Sequence, residues 1–136
     1  MTICGIELTG SEARLVLIQG EKEDFSIINV EPRKIILKDD SDQDEVKAFK
    51  DSIFAFFREN KVTKVLIKMR SKKGDYVGGP VGFKLEGIIQ LYDECPVILV
   101  TPQKISASKK RHNVYIPSEL YQYQKIAFET AFAELP

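Results

Sequence analysis

The chain has a single histidine and only two cysteines among its 136 residues. Cys4 and Cys95 each lie in an apolar segment, with no second Cys or His beside them. Neither a disulfide framework nor a zinc cluster is supported, and both read as small buried residues. His112 has no Ser, Cys or acid next to it, which argues against a catalytic triad. No apolar run is long enough to span a bilayer, and the opening "MTICGIELTG" lacks the basic start and cleavable apolar region of a signal peptide. A cytoplasmic protein with no membrane association is expected. Net charge is absent too, because 20 Lys and Arg balance 20 Asp and Glu.

What is present is ordinary globular composition, 43% hydrophobic and 29% charged, and enough chain for one domain over 1–136. The charges are segregated. Residues 1–60 carry 8 basic against 13 acidic side chains, residues 61–125 carry 12 against 5, and residues 126–136 carry none against 2. A basic middle can attract phosphates even in a neutral molecule, or be simply a solvated surface.

"TICGIELTG" and "ARLVLIQG" read as antiparallel strands joined by a short turn, and "FSIINVEPRKIIL" as a third extended run that Pro32 interrupts. The acidic stretch 39–45 offers helix caps, Ser41 with Asp44 or Asp42 with Glu45. Val46, Phe49, Ile53, Phe56 and Phe57 then recur at helical spacing and predict a helix over 43–59. "KVLIKMR" (64–70) predicts a strand. Val81, Leu85, Ile88, Ile89 and Tyr92 predict a helix over 80–94 that starts at Pro80. "CPVILVTP" (95–102) reads as a parallel strand covered on both faces. "QKISASKKRHNVYI" reads as a basic loop, followed by a last helix from Pro117 to about 135 whose Leu120, Tyr123, Ala127, Thr130 and Ala131 share a face. The order is β-β-β-α-β-α-β-α.

That order is the one used by the ribonuclease H-like fold, an α/β fold with a mixed five-stranded sheet flanked by helices. Three segments resemble its RuvC type of Holliday-junction nucleases. "CGIELTG" is similar to that family's first strand, where an acid supplies the first metal ligand. "VTPQKISASKK" is similar to the segment after the fifth strand, whose spaced lysines contact DNA, and "YQYQKIAFETAFAEL" resembles the last helix. A bacterial branch of this fold, distinct from a true resolvase, is the nearest description. The resemblance implies a nucleic-acid-binding domain, with DNA or RNA as partner and Mg²⁺ or Mn²⁺ as cofactor if it cuts. A homodimer is a further option.

The chain also departs from the family pattern, in which several carboxylates hold two metals around the scissile phosphate. The first acid is Glu7, not Asp. The end of the fourth strand, "IKMRSKK", carries no carboxylate, and Tyr123, Gln124 and Ala127 occupy the matching turn of the last helix. Glu129 falls on the opposite side of that helical wheel, and Glu134 shares the core-facing side close to the end of the sequence.

Glu7 is therefore either a metal ligand and catalytic residue or a buried acid paired with a Lys or Arg on a neighbouring element, for which Lys68 on the adjoining strand is one candidate. Glu86 reads either as a second catalytic and metal-binding acid or as a boundary residue reaching water. Asp75 reads as a third metal ligand or as a turn residue. Two basic segments are candidate nucleic-acid contacts or plain solvated loops: Arg70, Lys72 and Lys73 in a glycine-rich loop before a helix, and Lys104, Lys109, Lys110 and Arg111 with Tyr115 behind them. Two other classes of function stay open. One is a catalytically inactive binding or protein-interaction module of the same fold. The other is a nucleotide or partner domain, because "GIELTG" also resembles the first phosphate loop of actin-like ATPases, which need two such halves.

Overall fold

A computed structural model describes residues 1–70 and 79–136. β1 (Thr2–Thr9) and β2 (Glu12–Glu21) pair antiparallel through a turn in which Gly10 has a φ of +56°, a value that favours glycine. β3 (Asp24–Ile28) and β4 (Lys34–Ile36) both pair with β2, β3 along Leu17 to Glu21 and β4 along Glu12 to Arg14. They are the two halves of the run that Pro32 divides, and they share one edge of β2. Among the described residues the sheet accordingly has six strands where five were expected, with the order β3-β2-β1-β5-β6 and β4 beside β2. β5 (Val62–Lys68) lies parallel to β1, and β6 (Val97–Val100) parallel to β5.

Among the described residues, four helices cover the sheet. α1 (Gln43–Glu59) is capped by Asp42, whose carboxylate accepts from the Asp44 N–H at 2.9 Å. It packs with α2 (Pro80–Gln90) on one face, where Cys4, Ile6, Leu8, Phe49, Phe57 and Leu85 form the larger core. Pro80 opens α2 as its fixed φ suits the first turn. The opposite face carries α3 (Pro102–His112) and α4 (Lys125–Ala133), over a second core of Ile3, Val16, Ile18, Leu66, Phe128 and Phe132.

Three expectations change. The segment read as a basic loop is helix α3. Thr101 caps it by accepting from the Lys104 N–H at 3.2 Å, Pro102 occupies its first turn, and left-handed Asn113 (φ 51°) ends it. Only Ile105 of α3 is buried, so there was no apolar stripe to reveal it. The last helix starts at Lys125 after a 3-10 turn over Gln122–Gln124, not at Pro117. That entry is fixed by Gln124, whose amide donates to Leu15 O and accepts from Tyr121 N–H, both at 2.9 Å. β6 is an edge strand with Ile98 37% exposed, so it is not covered on both faces.

Where α4 crosses β1, a Cβ placed on Gly5 would lie 2.1 Å from Ala127 O and 2.7 Å from Ala131 Cβ. Gly5 therefore sets the distance between helix and sheet. Gly5→Ala is expected to lower the unfolding free energy by about 1–3 kcal/mol through overpacking, measured by urea denaturation. Gly87 in α2 has open space around its Cβ position, so Gly87→Ala is expected to raise it by about 0.5–1 kcal/mol.

Candidate nucleic-acid interface

Glu7 leaves β1 on the α4 side, on the same face as Ile3 and Gly5, with its side chain 17% exposed. The antiparallel register puts Arg14 directly opposite it, and Arg14 Nη1 lies 3.5 Å from Glu7 Oε1. Arg14 Nε also donates to Glu12 Oε2 at 2.7 Å, and its guanidinium sits 5.7 Å from the centre of the Tyr123 ring. The Glu12 hydrogen bond, with help from the charges of Glu12 and Glu7, holds the Arg14 pKa above its ordinary value. The carboxylate in the first strand thus has its cation on β2, not at the candidate Lys68 on β5. Cross-strand pairing across a two-residue turn decides the partner, because it fixes Arg14 against Glu7 while the parallel β1–β5 pairing ends at Ile6–Ile67, short of Glu7.

Glu86 stands on α2, in the layer on the other face of the sheet from Glu7. It is 8% exposed, and its Oε1 has no hydrogen-bond partner among the described residues. It is therefore not a boundary residue reaching water. One turn earlier on α2, Gly82 receives the Arg70 guanidinium, 2.5 Å from where a Cβ would be. Arg70 donates to the carbonyl of Leu8 and lies over the Phe83 ring. Its charged head is folded into the protein, not extended as a phosphate contact. Asp75, Lys72 and Lys73 lie outside the described residues.

The second basic group is distributed over α3 and divides in two. Lys104 pairs with Glu134, and Lys109 Nζ lies 3.3 Å from Glu129 Oε2. Lys110 and Arg111 are exposed and make no ion pair among the described residues. Glu129 is 7% exposed, contrary to its position on the outer side of the wheel. α4 has no solvent face from Ala127 to Ala133, because the sheet lies on one side and α3 on the other. Reading α3 as a loop removed the element that buries Glu129.

Between the end of β5 and the first turns of α3 and α4 is a cleft of about 280 Å³. Its charged lining is Lys68, Lys109 and Lys125 against one carboxylate, Glu129, over Ile105 and Ile126. Lys68 and Lys125 were missed as candidates. The strand-end placement of Lys68 was visible, but nothing in the sequence brings Lys125 beside it. Among the described residues, no group of three or more His, Cys, Asp or Glu side chains is placed to hold a metal ion. Glu7 is engaged by Arg14 and Glu86 belongs to the opposite layer, so the donors present do not fit the divalent pair of a two-metal nuclease.

Residues 1–134 match the family model described as "Protein of unknown function (DUF3010)". The chain belongs to the DUF3010 family. No curated protein matches this DUF3010 chain. Among solved structures it is similar to Thermus thermophilus RuvC, with a TM-score of 0.70 at 12% identity, covering 98% of this chain and 92% of that one. It is also similar to T. thermophilus RuvC in complex with a Holliday junction substrate, with a TM-score of 0.73 at 10% identity and the same coverage. The DUF3010 chain therefore has the RuvC-like, ribonuclease H-like fold. No helix among the described residues is long and apolar enough to cross a membrane.

The α3–α4 ion pair makes a direct prediction. Lys109→Met leaves Glu129 buried without its cation and is expected to cost about 1–3 kcal/mol. Lys110→Met, on the exposed side, should stay within about 0.5 kcal/mol of wild type. Urea unfolding of the two variants checks the difference.

Proposed function

We propose that this DUF3010 chain is a nucleic-acid-binding domain that keeps the RuvC-like fold without a two-metal cutting centre. The observation that carries the reading is the cation-rich cleft at the ends of the strands, where Lys68, Lys109 and Lys125 face a single carboxylate. Lysines placed this way neutralise backbone phosphates. Lys110 extends the row along α3, one turn on from Ser106 at the cleft. Lys109 has a different part, because its charge is already committed to Glu129. One of the similar structures is a RuvC in complex with a Holliday junction substrate, and a nucleic-acid partner for this chain is consistent with that.

The nuclease alternative needs Glu7 and Glu86, with Asp75, around Mg²⁺ or Mn²⁺. The ion pair of Glu7 with Arg14 and the position of Glu86 in the other layer weigh against it.

Fluorescence anisotropy with junction, duplex and single-stranded DNA and with RNA, over a range of salt, tests the reading. Binding should weaken steeply with salt. Lys68→Ala and Lys125→Ala should each weaken it for all sequences alike, and lower the salt slope by about 1. The same substrates should remain intact with Mg²⁺ or Mn²⁺. Metal-dependent cutting that is lost in Glu7→Gln would overturn the proposal in favour of a nuclease. Failure to bind any of these substrates at low salt would remove nucleic acid as the partner.

A further inference from the structure

Two larger clefts lie at the other end of α4, around its last turn, and share Lys22 and His112. The first, about 450 Å³, is walled mainly by Phe25, Ile27, Val114, Tyr115 and Phe132. Its volume falls in the range of roughly 300–1,000 Å³ that small-molecule sites occupy. Its edge carries the polar groups of His112, Asn113 and Glu119. The Tyr115 ring is 75% exposed, and Asn113 Nδ2 donates to its hydroxyl at 3.0 Å. The His112 ring stands edge-on to Phe132, with the centres 5.9 Å apart.

The second cleft, about 470 Å³, is cationic. Lys22, Lys104 and Arg111 line it against the one carboxylate of Glu134. Lys104 pairs with Glu134, and Lys22 donates to the carbonyls of Ala133 and Leu135 at the end of α4. Arg111 is left without an ion-pair partner among the described residues. Ser108 also lines this cleft, and its hydroxyl is buried with no hydrogen-bond partner there. A buried hydroxyl in that condition is costly, and an acceptor oxygen arriving in the cleft would satisfy it.

An apolar, aromatic cleft with polar groups at its rim thus lies beside a cationic one that has an unused guanidinium and an unused hydroxyl, with Lys22 and His112 in the walls of both. We propose that the two neighbouring clefts together bind a nucleotide, with the heterocyclic base against Phe25 and Tyr115 and the phosphate against Arg111 and Ser108. The base gains a flat apolar surface and the hydrogen-bonding edge of His112 and Asn113. The phosphate meets a bidentate cation, the geometry at which Arg excels. This inference goes beyond the reading of the strand-end cleft and uses none of Lys68, Lys110 or Lys125, so failure of one does not entail failure of the other. The nucleotide is either free or a unit of a bound strand.

NMR titration of the full chain with AMP, adenosine, inorganic phosphate and a short single-stranded oligonucleotide tests it. AMP is expected to give saturable shifts at Tyr115, His112 and Phe132 and also at Arg111 and Ser108. Adenosine and inorganic phosphate, each filling one half, should bind about tenfold more weakly, and Tyr115→Ala and Arg111→Gln should each weaken AMP about tenfold. Both substituted residues are exposed, so the variants should fold. An oligonucleotide that competes with AMP at these residues supports a strand as the source, and AMP binding without such competition supports a free nucleotide. The proposal is overturned if neither AMP nor the oligonucleotide gives saturable shifts there, or if inorganic phosphate alone reproduces every shift.

Discussion

The approach of α4 to β1 at Gly5 is the contact on which the rest of the molecule depends. A side chain there would meet the Ala127 carbonyl and the Ala131 methyl, so glycine on the strand and alanines on the helix let backbone meet backbone. With α4 held that low, Phe128 and Phe132 reach Phe25 on β3, with ring centres 5.8 and 5.6 Å away. The helix is also low enough for α3 to close over its outer side. Each of the three clefts is bounded by α4: the strand-end cleft by its first turn and the paired clefts by its last. One steric constraint therefore positions both the proposed nucleic-acid surface and the proposed nucleotide site.

The same layer shows how its acids are managed. Glu7 is met by Arg14, Glu129 by Lys109 and Glu134 by Lys104, so each of these three carboxylates has a cation from a neighbouring element. A half-buried acid with its own cation is a poor metal ligand, because the ion must displace a partner already in place. Beyond these pairs, Lys68, Lys110, Arg111 and Lys125 have no ion-pair partner among the described residues.

Strong local patterns made most of the fold legible. Gln43–Glu59 matches the predicted helix because five apolar residues recur along one face and Asp42 caps it. Pro80 marked the start of α2, and Pro32 the break between β3 and β4. α3 was not legible, since a helix with one buried residue leaves no periodicity and its markers, Thr101-Pro102 and Asn113, lie only at its ends. Missing α3 then misplaced Glu129, which needs α3 above it to be buried. The identity of the Glu7 partner was half legible. A cation was required, but Lys68 and Arg14 are both one strand away, and only the register of the hairpin distinguishes them. The position of Arg70 depended on Gly82, a contact between segments that no local pattern records.

The central claim is that Glu7 is the partner of Arg14 and not a metal ligand. A double-mutant cycle on Glu7→Gln and Arg14→Gln, followed by urea unfolding with and without Mg²⁺, measures this directly. The account predicts a coupling of about 0.2–1 kcal/mol, the size found for partly exposed ion pairs, and the same value in both conditions. A coupling of zero, with wild type alone stabilised by Mg²⁺ and Glu7→Gln more stable than wild type in its absence, would contradict the account and return Glu7 to a metal centre.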